Sequence, residues 1–444
     1  MAPRQSSTIY QAVSAQFTPV DVIVYIGRFS PFHYGHAHVL REAIKRKPKL
    51  IIVLVGSTGL SRSLKNPFTF DERRDMIVDH IKNEQDFNSS DTIVNVVASR
   101  NFPYNDTLWQ RNVQKLVKQS IANSGRFAPG ATPVIRLTGS DRDDTTWYLQ
   151  SFPQWVDQKA PVMVAPYVQN GALNVNSTDV RNWLFQQPSD IHSLNIAEMI
   201  SRASLGGKLV AGNKHLLPFV EKLLVSALTA PDPDLTHVPD TLPETTLEFL
   251  ERFKQTKHYE MLVSTFKFVR DYKRRALIYP YPPIYQTVDV VIVQSGHVLT
   301  VVRGHEPGKG LWALPGGFVN QNERLREAAI REAIEETGIR LAEGKNWKKI
   351  TADILRGSIR GMHVLDMPDR SERGRTISHL FYIRLDDTKP LPVVKGSNQG
   401  NVDPECDVTE VFWLPIDEAL ERSDMWFEDH HAGIETSIGS EDLK

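Results

Sequence analysis

Val20–Leu40 reads VDVIVYIGRFSPFHYGHAHVL, a β-branched apolar run that stops at Gly27 and gives way to a segment with helical spacing. Such a change of period marks a strand-to-helix junction. KLIIVLVGS (Lys49–Ser57) is a second apolar run, and the helical spacing between the two, from about His36 to Arg46, completes a βαβ unit. TIVNVVAS (Thr92–Ser99), VIRLTG (Val134–Gly139) and PVMVAPY (Pro161–Tyr167) continue the alternation of strand-like and helical stretches. This order predicts a doubly wound α/β domain with a parallel, Rossmann-like sheet over residues 18–190, preceded by a polar tail at 1–17.

Residues 191–278 read as a helical connecting region. Helical pieces are expected around His215–Ala227, and the proline- and aspartate-dense APDPDLTHVPDTLPETT (Ala230–Thr246) is expected to be a linker. A long amphipathic pattern then runs from Pro243 to Arg275 until YPYPPIYQ (Tyr279–Gln286), whose prolines end any helix. A second domain is placed at 279–435, with a tail at 436–444. Its TVDVVIVQSGHVLTVVRG predicts two strands around a turn at Ser295–His297, and HLFYIRL and EVFWLP are later strands, so a mixed sheet between helices is expected.

The chain has 444 residues, enough for more than one core, and 52 lysines and arginines against 53 aspartates and glutamates. With a net charge of −1 and no basic recognition helix, nothing points to nucleic acid; small phosphorylated ligands held by local clusters fit better. Cys406 is the single cysteine, which excludes an intrachain disulfide, and no apolar run is long enough for a membrane. A cytoplasmic setting is expected, and homo-oligomerisation stays open.

Two constellations carry chemistry. In GGFVNQNERLREAAIREAIEETGI (Gly316–Ile339), Glu332, Glu335 and Glu336 stand at i, i+3 and i+4, which gathers three carboxylates on one helix face. Carboxylate oxygens suit magnesium, or manganese, and such a cation can bridge a diphosphate and activate water. A solvated acidic face is the bland alternative, but glycines, Glu323 and Arg331 all fall in register. The pattern resembles the Nudix hydrolases over roughly Tyr279–Phe427, which implies an α/β/α sandwich. The resemblance also implies Gly316, Glu332, Glu335 and Glu336 at the metal, with Glu323 and Arg331 supporting them. Ala333 is smaller than the usual aliphatic residue there, and Asp403, Glu405 and Glu410 are weak candidates for a general base.

In the opening stretch, His33 and His36 flank Gly35 at the entry to a helix, where backbone N–H groups favour an anion and two imidazoles can donate to a phosphoryl group in flight. NSTDVRNWL (Asn176–Leu184) is a second phosphate-binding element late in the same domain. Together they resemble the nucleotidyltransferase superfamily. That resemblance implies His33 and His36 at the ATP phosphates, with Ser177, Thr178 and Arg181 gripping the β and γ phosphates, and Gly27, Arg28 and Phe29 at the substrate. KNPFTFDERRDMI (Lys65–Ile77) and RNFPYNDTLW (Arg100–Trp109) resemble segments of archaeal-type nicotinamide mononucleotide adenylyltransferases. They imply Arg73 on the mononucleotide phosphate and Trp109 as a platform for the nicotinamide ring, although core packing is the commoner fate of a tryptophan. Gly139 and Asp141 are implied at the nucleotide, where a mere turn is the alternative.

The pairing is similar to the family of bifunctional nicotinamide mononucleotide adenylyltransferase and Nudix hydrolase proteins. It implies NAD formation from ATP and nicotinamide mononucleotide, and metal-dependent cleavage of ADP-ribose to AMP and ribose 5-phosphate. RSERGRTISH (Arg370–His379) suggests Arg370 and Arg375 on a second phosphate or ribose, against a plain charged loop. The rivals are a transferase for another acceptor, such as phosphopantetheine or glycerol phosphate, and a regulator that senses ADP-ribose without turning it over.

Overall fold

The computed structural model describes residues 20–140, 151–155, 162–164, 168–169, 172–173, 176–186, 235, 237–276, 279, 281–394 and 408–439. The expected N-terminal tail, the helical pieces at His215–Ala227, and Asp141, Asp403, Glu405 and Cys406 lie outside these residues. No helix among the described residues is long and apolar enough to cross a membrane.

The first unit runs β1 (Val22–Gly27), α1 (Tyr34–Ile44), β2 (Leu50–Thr58), α2 (Phe70–Asn83), a short α3 (Gln85–Asn88), β3 (Ile93–Arg100), α4 (Asp106–Asn123), β4 (Ile135–Ser140) and β5 (Val162–Val164). A small β6–β7 hairpin (Val168–Gln169 and Ala172–Leu173) and α5 (Ser177–Phe185) follow. Its five strands are ordered β3-β2-β1-β4-β5 and all pair in parallel, the doubly wound sheet that the alternation predicts. Both faces are covered, which is why β1 and β2 are apolar at nearly every position and not only at alternate ones. Ile23, Tyr25, Ile51 and Val53 face α1 and α2, while Val22, Val24, Leu50 and Ile52 meet Val113 and Val117 of α4. The strand order reverses between β1 and β4, and the crevice outside the strand ends at such a point is where ligands bind in this architecture.

The described part of the connecting region is largely helical. The amphipathic pattern is broken into α6 (Glu244–Phe253) and α7 (Lys257–Ala276), with the Thr256 hydroxyl accepting the Tyr259 N–H to begin the second helix. The stretch expected as a linker is not free, since Leu235, Val238 and Leu242 are buried in the same core as α1 and α2, alongside Leu250, Phe253 and Leu262. Prolines and aspartates mark the turns there, but the apolar residues spaced between them find a hydrophobic surface. These residues of the expected connecting region thus share the core of the unit built on the first sheet.

The second unit comprises β8 (Tyr285–Gln294), β9 (His297–Arg303), β10 (Trp312–Ala313), β11 (Gly316–Phe318), α8 (Leu325–Thr337), α9 (Trp347–Gly357), β12 (Ile359–Leu365), β13 (Thr376–Arg384), β14 (Val408–Pro415), α10 (Ile416–Glu421) and α11 (His430–Gly439). Its seven-stranded sheet is mixed, with β8 parallel to β13 and antiparallel to β9 and β11. The β8–β9 turn falls where expected, Ser295 at φ 48° and Gly296 at φ 74°, the double left-handed turn that suits a tight hairpin. Val288, Val290 and Ile292 pack against Ala328, Ala329 and Ala333 of α8 on one face, and Val291 and Leu380 against Trp426 and Ile434 on the other. The small Ala333 is fully buried, so α8 lies close on the sheet.

Candidate active sites

The loop from β1 to α1 folds back on itself. A Cβ on Gly27 would come within 2.8 Å of the Phe29 ring, so only glycine lets that ring return over the strand, and Phe29 itself sits at φ 51°. Phe29 then packs edge-on to His36 at 4.8 Å. His33, 2% exposed, is the residue that precedes α1, and its backbone N–H donates to His36 Nδ1 at 3.3 Å. The two imidazoles stack with centroids 3.7 Å apart. Packing on three sides thus fixes the pair at a helix N-terminus.

α5 completes this site from a distance of some 150 residues. Asn176 caps it by accepting the Asp179 N–H at 2.8 Å, and Val180, Leu184 and Phe185 anchor it in the core beside α1. Ser177 Oγ donates to the Pro31 carbonyl at 3.3 Å, and Arg181 donates to the Ser30 carbonyl at 2.8 Å and to Thr178 Oγ1 at 3.1 Å. The histidine segment and the NSTDVR segment are therefore one constellation. Burial, and then the charge of Arg28, pushes the Arg181 guanidinium down to about 10, and the same two causes bring Arg73 down to about 10. Arg28 thus adds a like charge close to both guanidinium groups.

Other expected contacts fall differently. Arg73 was assigned to the acceptor phosphate, but it is 1% exposed and donates to the backbone carbonyls of Arg28 at 2.9 Å, Gly56 at 2.7 Å, Ser57 at 3.2 Å and Thr69 at 3.2 Å. Main-chain carbonyls take four of its five N–H groups, so it ties β1 and β2 to α2. Trp109, on α4, is half-buried, tilts against Phe152 at 5.5 Å and packs on the core cluster of that face. Gly139 is buried near the end of β4, next to β5.

In the second unit, β11 and α8 present the carboxylates. A Cβ on Gly317 would lie 2.6 Å from Glu332 Oε1, so the glycine leaves the space that this carboxylate fills. A Cβ on Gly316 would strike the Val288 carbonyl at 2.3 Å and Asp289 Oδ1 at 2.5 Å. Gly316 donates its N–H to Glu336 Oε2 at 2.9 Å. Arg331 grips Glu323 with two bonds of 3.0 and 2.6 Å, and reaches Glu332 at 2.7 Å and Glu335 at 3.1 Å. Burial raises the Glu332 carboxyl above its ordinary range; Arg331 opposes this, while Glu335 and Glu323 add to it. The α8 helix ends at Gly338, φ 61°, as the sequence places it. Among the described residues, no three His, Cys, Asp or Glu side chains close a metal site by themselves.

Arg370 sits among acidic partners. Its side chain is 3% exposed and makes two bonds to Asp429, 2.9 and 2.6 Å, with Asp289 at 3.6 Å, so it is engaged in a buried ion pair. Arg375 is bound to the Asp366 carbonyl at 2.5 Å. Glu410 lies exposed on β14. Sequence reasoning missed Asp289, 6% exposed, which accepts from Ser378 Oγ at 2.5 Å behind the Gly316 turn. A lone acid inside the apolar run VDVVIV was the available signal. It also missed Arg373, which lies 5.8 Å from the Phe318 ring centroid.

Residues 284–432 match the NUDIX domain model, and residues 24–122 match the Cytidylyltransferase-like model. Among curated proteins the chain is 33% identical over 135 residues to the nicotinamide/nicotinic acid mononucleotide adenylyltransferase of Acinetobacter baylyi, covering 30% of this chain and 64% of that protein. It is 36% identical over 114 residues to the ADP-ribose pyrophosphatase of Methanocaldococcus jannaschii, covering 26% of this chain and 57% of the other. The matches thus span less than two thirds of these curated relatives. Over the full length it resembles the crystal structure of a bifunctional NMN adenylyltransferase/ADP ribose pyrophosphatase from Francisella tularensis complexed with AMP and a manganese ion. That likeness has a TM-score of 0.68 and 26% identity, and covers 95% of this chain and 99% of that one.

Proposed function

We infer the activities of this chain from its membership of the family of bifunctional nicotinamide mononucleotide adenylyltransferase and Nudix ADP-ribose pyrophosphatase proteins. The first unit transfers the adenylyl group of ATP to nicotinamide mononucleotide, and the second hydrolyses ADP-ribose to AMP and ribose 5-phosphate. The observation that carries the first assignment is the meeting of two distant segments, Ser177 and Arg181 bonded to the carbonyls of Pro31 and Ser30 beside the stacked histidines.

In the transfer, the acceptor phosphate oxygen bonds to the α-phosphorus of ATP as the bond to the β-phosphate oxygen breaks, and diphosphate leaves. His33 and His36 donate to the α-phosphoryl oxygens, where charge develops, and Ser177, Thr178 and Arg181 hold the departing phosphates. No covalent intermediate is needed: positioning and charge stabilisation supply the rate. In the hydrolysis, water attacks one phosphorus of the diphosphate and the other phosphate leaves with its sugar. The carboxylates fit a divalent cation, magnesium or manganese, because Glu332, Glu335 and Glu336 gather on one helix face against the Gly316–Gly317 turn, with Glu332 in the space that Gly317 leaves and Glu336 bonded to the Gly316 N–H. Glu332, Glu335 and Glu336 would hold it together with Gly316, and it would supply Lewis acidity and an activated water. Arg331 favours the ionised form of Glu332, against burial, and Glu323 bonds to Arg331. The ligands are small phosphorylated molecules, and we place both reactions in the cytoplasm.

The test is product analysis with the full chain. ATP plus nicotinamide mononucleotide should give NAD and diphosphate, and ADP-ribose should give AMP and ribose 5-phosphate only when a divalent cation is present. Transfer to a different acceptor, or binding of ADP-ribose without cleavage, would overturn the respective assignment.

A further inference from the structure

The two units enclose a cavity of about 610 Å³ that is distinct from the stacked histidines and from the carboxylate helix. From the first unit it is lined by Lys65, Asn66, Thr69 and Asn101, on the two segments expected to bind the acceptor; from the second it is lined by Asp369, Arg370, Glu372 and Glu428. The second unit is held there by specific bonds. The Lys65 N–H donates to Glu372 Oε1 at 2.9 Å, Lys65 Nζ pairs with Asp369, and Ser61 Oγ donates to the Trp426 carbonyl at 2.8 Å.

Most cations that line this space are already committed. Arg62 is bonded twice to Glu72, at 2.8 and 2.9 Å, Arg100 to Glu435 at 2.5 Å, and Arg370 to Asp429 at 2.6 Å. The acceptors are less well served. Glu428 has a side chain only 8% exposed, and its Oε1 has no hydrogen-bond donor; the nearest cation is Arg373 at 3.9 Å. Asn66 Oδ1 is likewise buried without a donor. Buried acceptors with nothing to accept are costly, and a ligand that brings N–H groups and positive charge removes the cost.

The direction of the acceptor follows from the chemistry. Its phosphate must reach the α-phosphorus beside His33 and His36, neither of which lines the cavity. A pyridine end that extends from there toward Lys65, Thr69 and Asn101 would enter the space under the second unit. A pyridinium ring with a carboxamide brings a positive charge and two N–H donors. The corresponding acid brings a carboxylate, with no donor and the wrong sign.

We propose that Glu428 and Glu372, contributed by the Nudix unit, form the wall that faces the pyridine end of the transferase acceptor and select the amide-bearing mononucleotide over its acid counterpart. This rests on the adenylyltransferase reading above and adds to it a division of labour: one domain performs the transfer and its neighbour discriminates the substrate. The two are then joined for a chemical reason, because the transferase acceptor site is incomplete without the hydrolase fold.

The experiment compares kcat/KM of the full chain for nicotinamide mononucleotide and nicotinic acid mononucleotide, in the wild type and in Glu428→Gln and Glu372→Gln, with AMP release from ADP-ribose confirming that each variant is folded. The wild type should favour the amide, and each substitution should lower the amide-to-acid ratio by roughly 10-fold, because a like-charge clash has been removed. A purely structural role would lower both values together and leave the ratio unchanged, which would overturn the proposal. A wild type that prefers neither acceptor would also overturn it. A wild type that makes no NAD from the amide acceptor would overturn the transferase reading as well, which separates the two failures.

Discussion

Gly317 and Glu332 show how far single residues decide the hydrolase. A methyl group at 317 would stand 2.6 Å from a carboxylate oxygen, so Gly317→Ala must displace Glu332 or the strand that carries it. Initial rates should show hydrolysis reduced about 100-fold, in line with a displacement of about an ångström at a reacting centre, and transfer unaffected. Arg331 gives a pH-dependent companion. Burial already holds the Glu332 carboxyl above its ordinary range, and Arg331 pulls it back. Removing that charge in Arg331→Ala lets the pKa rise further, so the ionised form is lost at a higher pH on acidification. The rate deficit of the variant should deepen toward acid pH; a deficit that is equal at every pH would show that Arg331 acts in some other way.

The carboxylate face was legible because helical spacing is a local property. Arg73 was not. A motif can say that an arginine occupies a place, but it cannot say whether its fork meets a phosphate or four carbonyl oxygens brought in by two strands and a helix end.

At the scale of elements, α2 depends on that arginine. Its first turn is closed by a reciprocal pair, Thr69 N–H to Glu72 Oε2 at 2.7 Å and Glu72 N–H to Thr69 Oγ1 at 3.3 Å, and Arg73 then fastens the turn to the ends of β1 and β2. Arg73→Met keeps much of the volume and leaves buried carbonyls unpaired. It should cost about 3 kcal/mol or more, read from the shift of the urea unfolding midpoint. An acceptor KM that rises while stability stays the same would restore the phosphate-binding role. Elements were read well where their period was strong, as in β1, β2, α8 and the Ser295–Gly296 hairpin. The reading failed at Leu235–Leu242, where composition suggested a linker, because three apolar residues between turns carry no period and gain their meaning only from the surface they cover.

For the whole molecule, the joint between the units is the feature least visible in sequence. Tyr104, from the loop after β3, donates to Asp429 at 2.5 Å; Asp429 holds Arg370, and Arg370 approaches Asp289 behind the Gly316 turn. No local pattern announces such a chain of partners, since each residue in isolation is an ordinary surface type. Tyr104→Phe removes one bond to a buried carboxylate and should lower stability by about 1–3 kcal/mol in chemical denaturation. An unchanged midpoint would mean that the contact adds nothing to the joint.

The central claim is that one chain carries two separate catalytic sites. The most direct measurement assays NAD formation and AMP release, side by side, in full-length His36→Ala and Glu336→Gln. The first variant should lose NAD formation and keep AMP release, and the second should do the reverse. Loss of both activities in either variant, with the protein still folded, would contradict the account.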